Sequence, residues 1–264
     1  MAEMTAAYAV QPHWLRRNDD SRTPHRVAFI DAETRPTSID GDEHHSLRWW
    51  HARMVRRHVD RPRKPVVVDL AGNDCESLAV QVDQMAIAKQ SLWVYTHNLG
   101  FDLTVTRLLE TLYALGWQIA DLGITGRSPW VKMNNGRRRI VLCDSGSWIP
   151  APLKDIGESI GIAKPDIEDW YNATDEDIAV RCLMDTEILS SAMLAIMDWW
   201  DANDMGRWSW TGPGCGWASF RHRFLKTKVL MDPEPERIAL ERRAIYGGRR
   251  EAYRIGRLGE GQYV

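Results

Sequence analysis

The segment at residues 26–34, RVAFIDAET, constrains this chain more than any other stretch. It begins apolar and β-branched, the signature of a short buried strand, and it ends on two acids, Asp31 and Glu33. Side chains two apart on a strand leave the same face, so both carboxylates point to one side of the strand terminus. From there a single strand can chelate one cation. Alone, a D-x-E tripeptide is weak, because solvated charge explains most of them.

The rest of the chain supplies a context for that strand. Residues 1–24 are polar and patternless and read as a loose lead-in. Residues 35–65 open with a Pro/Asp/Gly turn region and continue as a strand or hairpin of ambiguous period. VVVDL is a strand candidate, and Asn73 is placed to cap a helix running to about Gln90, with Leu78, Val82, Met85 and Ile87 on one face. SLWVYTHN reads as a strand, and residues 100–115 read as one helix ending at Gly116. WQIADLGI, PWVKM and RIVLCD are short strands, the last two joined through Asn134-Asn135-Gly136. LKDIGESIGI is a short helix, and Thr174 with Asp177 forms a capping box that opens a long helix to about Trp200. NDMGRWSWTGPGCGW reads as a loop, followed by a short basic helix near 217–228 and a helix over 235–245.

Composition narrows the function classes. Hydrophobic residues make up 44% and charged residues 27%, as in a folded globular chain, and no apolar run approaches the roughly 18 residues of a membrane helix. No membrane partner is expected. The N-terminus has no basic stretch followed by an apolar one, so the cytoplasm is the expected location. Cys75, Cys143, Cys182 and Cys215 are scattered without a C-x-x-C pair, which argues against a zinc site or a disulfide framework. The net charge of -2 excludes a uniformly basic nucleic-acid binder and leaves room for local patches. Those patches would be made of arginine, since 27 of the 34 basic residues are Arg.

Two further acids share a distinctive setting. Asp102 follows a strand in the first turn of a helix, in HNLGFD, and Asp185 lies in a helix among the apolar Leu183, Ile188 and Leu189. An acid amid apolar neighbours needs a partner, and a metal is one. Carboxylates from separate elements are what a pair of divalent cations requires.

At this point the sequence resembles the DEDD-type 3′-5′ exonucleases. FIDAET is similar to their first motif, HNLGFD to the second, and the helix carrying Asp185 stands where the third belongs. The resemblance is strongest to the proofreading domain of protein-primed family B DNA polymerases of phages and linear plasmids. Between the motifs, DSGSWIPAPLKDIGESIGIAKPDI resembles the stretch of that family bearing a DNA-contacting serine, a P-x-P turn and a lysine. The resemblance implies an α/β, RNase H-like fold: a mixed central sheet flanked by helices, with a C-terminal extension of helices and loop. It implies a domain over 25–202, followed at 203–264 by a Trp/Gly-rich loop, basic helices and a linker. It further implies that Asp31, Glu33, Asp102 and Asp185 hold two divalent cations, Mg²⁺ or Mn²⁺, and that Lys164 organises the attacking water or the phosphate charge. Thr34, His97, Asn98, Phe101 and Ser145 would hold a single-stranded DNA 3′ end.

The match has one departure. Where the family places a water-orienting tyrosine, four residues before the last aspartate, this chain has Arg181. Arg181 binding the phosphate, Tyr171 reaching in from the preceding loop, and reduced activity are all compatible with the sequence. ERRAIYGGRREAYRIGR resembles the family's exonuclease-to-polymerase linker, which implies template contacts from Tyr246, Gly247, Gly248 and Arg249. None of the family's polymerase motifs follows. The sequence therefore points to a 3′-5′ exodeoxyribonuclease without polymerase activity of its own, free-standing or the N-terminal part of a polymerase in a bacterial or phage-infected cell. A weakly catalytic DNA-binding, exonuclease-like subunit of a split DNA polymerase is the alternative, and a separately encoded palm or a terminal protein is the protein partner the resemblance implies.

Overall fold

The computed structural model describes residues 12–57, 65–123, 128–167, 169–231 and 234–244. The chain divides into two units, residues 17–226 and a smaller one made from residues 1–16 and 227–264. In chain order the elements are β1 (His13–Leu15), β2 (Arg26–Ile39), β3 (Asp42–Arg56), β4 (Val66–Gly72), α1 (Cys75–Met85), β5 (Ser91–Thr96), α2 (Leu99–Val105) and α3 (Leu108–Ala114). They continue as β6 (Gln118–Gly123), β7 (Trp130–Asn135), β8 (Arg138–Asp144), α4 (Leu153–Ile160), α5 (Asp175–Ala202), α6 (Gly212–Ser219), β9 (Val229–Met231) and α7 (Pro235–Ala244). The smaller unit holds α7 and the antiparallel pair β1 and β9. The expected boundary at 202/203 is thereby moved, since residues 203–226 belong to the larger unit. The lead-in is also not wholly patternless, because β1 pairs.

The larger unit is α/β, as expected, with a seven-stranded mixed sheet in the order β4-β3-β2-β5-β8-β7-β6. Its centre, β2, β5 and β8, is parallel, and the flanking pairs are antiparallel. This arrangement, with helices on both faces, fits the RNase H-like expectation. Alternation along β2 explains the two faces. Ala28 and Ile30 join Leu78, Val82, Leu108 and Leu112 of α1 and α3 in one core. Val27 and Phe29 join Ile188, Leu189, Met193 and Met197 of α5 in the other.

Several local expectations shift. β2 does not end at Thr34 but runs on to Ile39 and turns through Asp40 and Gly41, both at positive φ, into β3. Pro36 is tolerated there because β5 pairs only with residues 26–29, leaving the far half of β2 bonded on one side. Asp74, not Asn73, caps α1, its carboxylate accepting from Ser77 N, and the helix stops at Met85. The helix expected over 100–115 is two, α2 and α3, separated at Arg107 in the left-handed conformation with φ 51. Within the Trp-rich segment, Thr211 caps α6 by accepting from Gly214 N, and a π-helical turn spans Phe220–Phe224.

Part of that segment enters the core, while Trp217 stays half exposed. Trp208 is buried, stacks on Trp148 with ring centroids 5.7 Å apart and donates from Nε1 to the Tyr95 hydroxyl at 2.9 Å. Trp200 meets it edge-on at 5.5 Å. Packing against Trp148, Trp200 and Tyr95 accounts for Trp208.

The junction of α4 with α5 is tight at Gly157. A Cβ there would lie 2.5 Å from the Ile162 carbonyl oxygen and 2.8 Å from Ile188 Cδ1. Gly157→Ala should destabilise by about 1–3 kcal/mol through overpacking, outweighing the roughly 1 kcal/mol by which Ala favours a helix. Urea unfolding reads it: an unchanged or raised midpoint would refute the tight contact.

Candidate metal centre

The alternation that sends Val27 and Phe29 toward α5 continues past the core, so Asp31 and Glu33 leave β2 on that same face. The β-bulge in the pairing with β3 falls after Glu33 and leaves this register intact. From α5, Asp185 enters among the buried Cys182, Ile188 and Leu189. Carboxylate oxygens of Asp31, Glu33 and Asp185 lie within 4.8 Å of one another. Asp102, in the first turn of α2, is only 6% exposed and close enough to raise Asp31 electrostatically, but it stands outside that three-acid cluster.

Two cations enter the cluster. Lys164 Nζ lies 2.7 Å from Asp185 Oδ2, and Arg181 Nε lies 3.1 Å from Glu33 Oε1. Arg181 also donates to the Pro165 carbonyl at 2.8 Å and sits over the Trp170 ring at 4.8 Å. It is thus held in place beside the acids, whereas Tyr171 is 74% exposed. The neutralisation is incomplete: Asp31 Oδ2 and Asp185 Oδ1 are buried with no hydrogen-bond partner. Buried carboxylate oxygens without donors fit a hard divalent cation, which prefers all-oxygen ligands.

Electrostatics agree. Burial, followed by the charges of Asp185, Asp102 and Glu33, pushes Asp31 well above the usual carboxylate range. Burial also raises Glu33, against the pull of Arg181. Asp102 is pushed up to about 7, chiefly by burial with help from Asp144 and Glu33.

The expected DNA-contacting residues divide into exposed and internal groups. Phe101, 39% exposed, and Asn98 are accessible, and the Asn98 side chain caps α2 by accepting from Phe101 N. Thr34 is buried and bonded to His45 Nδ1 at 2.8 Å, and the His45 ring meets Phe101 edge-on at 6.2 Å. Ser145 is fully buried, linked to His97 Nδ1 at 2.8 Å, while His97 Nε2 bonds to the Ala151 carbonyl at 2.8 Å. His97 and Ser145 therefore brace the loop between β8 and α4. Tyr246, Gly247, Gly248 and Arg249 lie outside the described residues.

Sequence reasoning missed two supports. The Asp144 carboxylate accepts from Leu99 N at 2.9 Å and Gly146 N at 2.8 Å, which ties β8 to the start of α2 and so sets Asp102. Its position at the end of RIVLCD, before a Ser-Gly pair, was the available signal. His45 had none, because only the β2-β3 hairpin carries it to Thr34.

No family model and no curated protein matches the chain. Among solved structures, phi29 DNA polymerase complexed with primer-template DNA and incoming nucleotide substrates is similar, with TM-score 0.49 and 17% identity over 76% of this chain and 34% of that one. Phi29 DNA polymerase complexed with single-stranded DNA gives TM-score 0.49 and 16% identity over 75% of this chain and 35% of that one. The chain spans about a third of the length of these polymerase structures.

A raised carboxyl pKa means that the folded state keeps a proton the unfolded chain releases, so the contribution of Asp102 to metal-free stability should fall as pH rises between 3.8 and about 7. In EDTA, Asp102→Asn cannot ionise and should gain on the wild type across this window. Urea midpoints of the two proteins check this, and a pH-independent difference would contradict it.

Proposed function

We propose that this chain is a divalent-metal-dependent 3′-5′ exonuclease that trims single-stranded DNA ends and releases nucleoside 5′-monophosphates. The observation that carries the reading is the pair of buried oxygens without donors, Asp31 Oδ2 and Asp185 Oδ1, in a cluster with Glu33. Asp31, Glu33 and Asp185 would hold Mg²⁺ or Mn²⁺, with Asp102 as the further ligand expected for a second ion. Bound ions supply an acidified water and a positive clamp on the scissile phosphate.

The protein's own groups do the positioning. Water oxygen bonds to phosphorus, the P–O3′ bond breaks, and the departing 3′-oxygen takes up a proton. Lys164, already on Asp185, places an ammonium beside the phosphate. Arg181 must yield Glu33 to a cation, after which its guanidinium, still held by Pro165 and Trp170, is free to grip a phosphate oxygen. Phe101 offers an exposed ring for a terminal base, a contact that does not depend on sequence.

The Arg181 to Glu33 ion pair also favours a second reading, in which the chain binds DNA but cleaves weakly and serves a separately encoded polymerase palm. A 5′-labelled oligonucleotide incubated with Mg²⁺ or Mn²⁺ separates the two. Progressive 3′ shortening is expected, and Asp31→Asn should reduce it by more than about 100-fold, the upper end for outer-shell residues. Binding without shortening in either metal would leave the second reading standing. A matched RNA oligonucleotide tests the sugar, and equal shortening of RNA would remove the restriction to DNA.

A further inference from the structure

Strands β2, β5 and β8 are parallel, so the sheet has two chemically distinct edges. The carboxylates gather at the C-terminal edge. At the opposite edge is a separate cavity of about 300 Å³, lined by Arg22, Lys89, Arg139 and Arg207, with Asp20 and Trp93. Ser91, the first residue of β5, also lines it, and Thr96, next to His97, closes the other end of the same strand. Five strand intervals separate them, about 17 Å, so this cavity is no part of the metal centre.

Its charge is unbalanced. Asp20 is the one carboxylate on the wall among the described residues, and Arg22 occupies it through Nε at 2.8 Å and a second nitrogen at 2.7 Å, with Arg207 3.9 Å away. Lys89 and Arg139 are exposed and have no carboxylate partner among the described residues. Four cations against one acid around a concavity give it a positive potential that draws an anion. The volume falls at the small end of ligand cavities, about 300–1,000 Å³. Arginine forks match phosphate oxygens two at a time, and the half-buried Trp93 ring offers an apolar face beside them.

We propose that this cavity is a second phosphate-binding site, which grips the backbone of a nucleic-acid strand remote from the carboxylates. The choice of nucleic acid over another phosphate ligand rests on the proposed function, whereas the anion site itself does not. It extends the footprint on the strand and makes retention of DNA salt-dependent without touching the hydrolytic groups.

Fluorescence anisotropy with a labelled oligothymidylate of about twenty nucleotides, in EDTA so that no cleavage intervenes, measures this directly. Lys89→Glu with Arg139→Glu should weaken binding at least about 10-fold at low salt and make the log-log salt slope shallower by about 1.4, two contacts at roughly 0.7 each. Arg107→Glu, an exposed charge reversal at the start of α3, is the control and should cost clearly less than Arg139→Glu alone. Equal losses in Arg139→Glu and Arg107→Glu, with folding confirmed by circular dichroism, would overturn the site. Thymidine 5′-monophosphate is the second arm: loss of mononucleotide binding with oligonucleotide binding intact would overturn the strand assignment. Shortening of a trinucleotide, too short to reach the cavity, should survive Lys89→Glu with Arg139→Glu and be lost in Asp31→Asn, which keeps failure of this site distinct from failure of the exonuclease reading.

Discussion

Packing of α5 across β2 sets apolar attraction against electrostatic repulsion, and the candidate site exists because attraction prevails. Bringing Asp185 against Asp31 and Glu33 desolvates three acids and places like charges within 4.8 Å, which costs several kcal/mol per ion even after relaxation. The same interface buries Val27, Phe29, Ile188, Leu189, Met193 and Met197, each contributing about 1.5–3 kcal/mol. Six such side chains outweigh the penalty of two or three carboxylates. Lys164 and Arg181 remove part of it, and the rest remains as raised pKa values and two oxygens without donors. A helix less well packed would let the acids separate into water.

The periphery serves that interface. The capping box of Thr174 and Asp177 defines where α5 begins, and the spacing of Ile188, Leu189, Met193 and Met197 sets the face that meets β2. Gly157 lets α4 come close to Ile188, one of the α5 residues in that core. The stack of Trp148 on Trp208, with Trp200 edge-on, joins the end of α5 to the loop after β8, the loop that His97 and Ser145 also brace. Three of the 13 tryptophans thus help hold the end of a long helix against the sheet. Among the described residues, no helix is long and apolar enough to cross a membrane.

Much of the fold was legible because it depends on periodicity. β2, β4, β5, the β7-β8 hairpin, α4 and α5 all follow from apolar spacing and cap residues. Misplacements occurred where a single backbone torsion or a tertiary contact overrode the local pattern. Arg107 at positive φ splits one apparently continuous helix into two, although Leu108 and Leu112 keep the helical spacing. Pro36 reads as a strand end, yet one-sided pairing lets β2 continue. The Gly-rich stretch before Trp217 reads as loop, yet Thr211 caps it into a helix.

Local geometry already specifies which acids are available and that Asp31 and Glu33 share a face, because strand alternation needs no tertiary contact. It also determined that Asp185 would lie among apolar neighbours, since helix periodicity is local too. Long-range packing brings Asp31, Glu33 and Asp185 together while Asp102 lies outside their cluster, pairs Arg181 with Glu33 and bonds His97 to the buried Ser145. It alone gathered Arg22, Lys89, Arg139 and Arg207, far apart in the chain, around one cavity. These outcomes depend on distances between elements, which long-range packing and desolvation set and which no local pattern encodes.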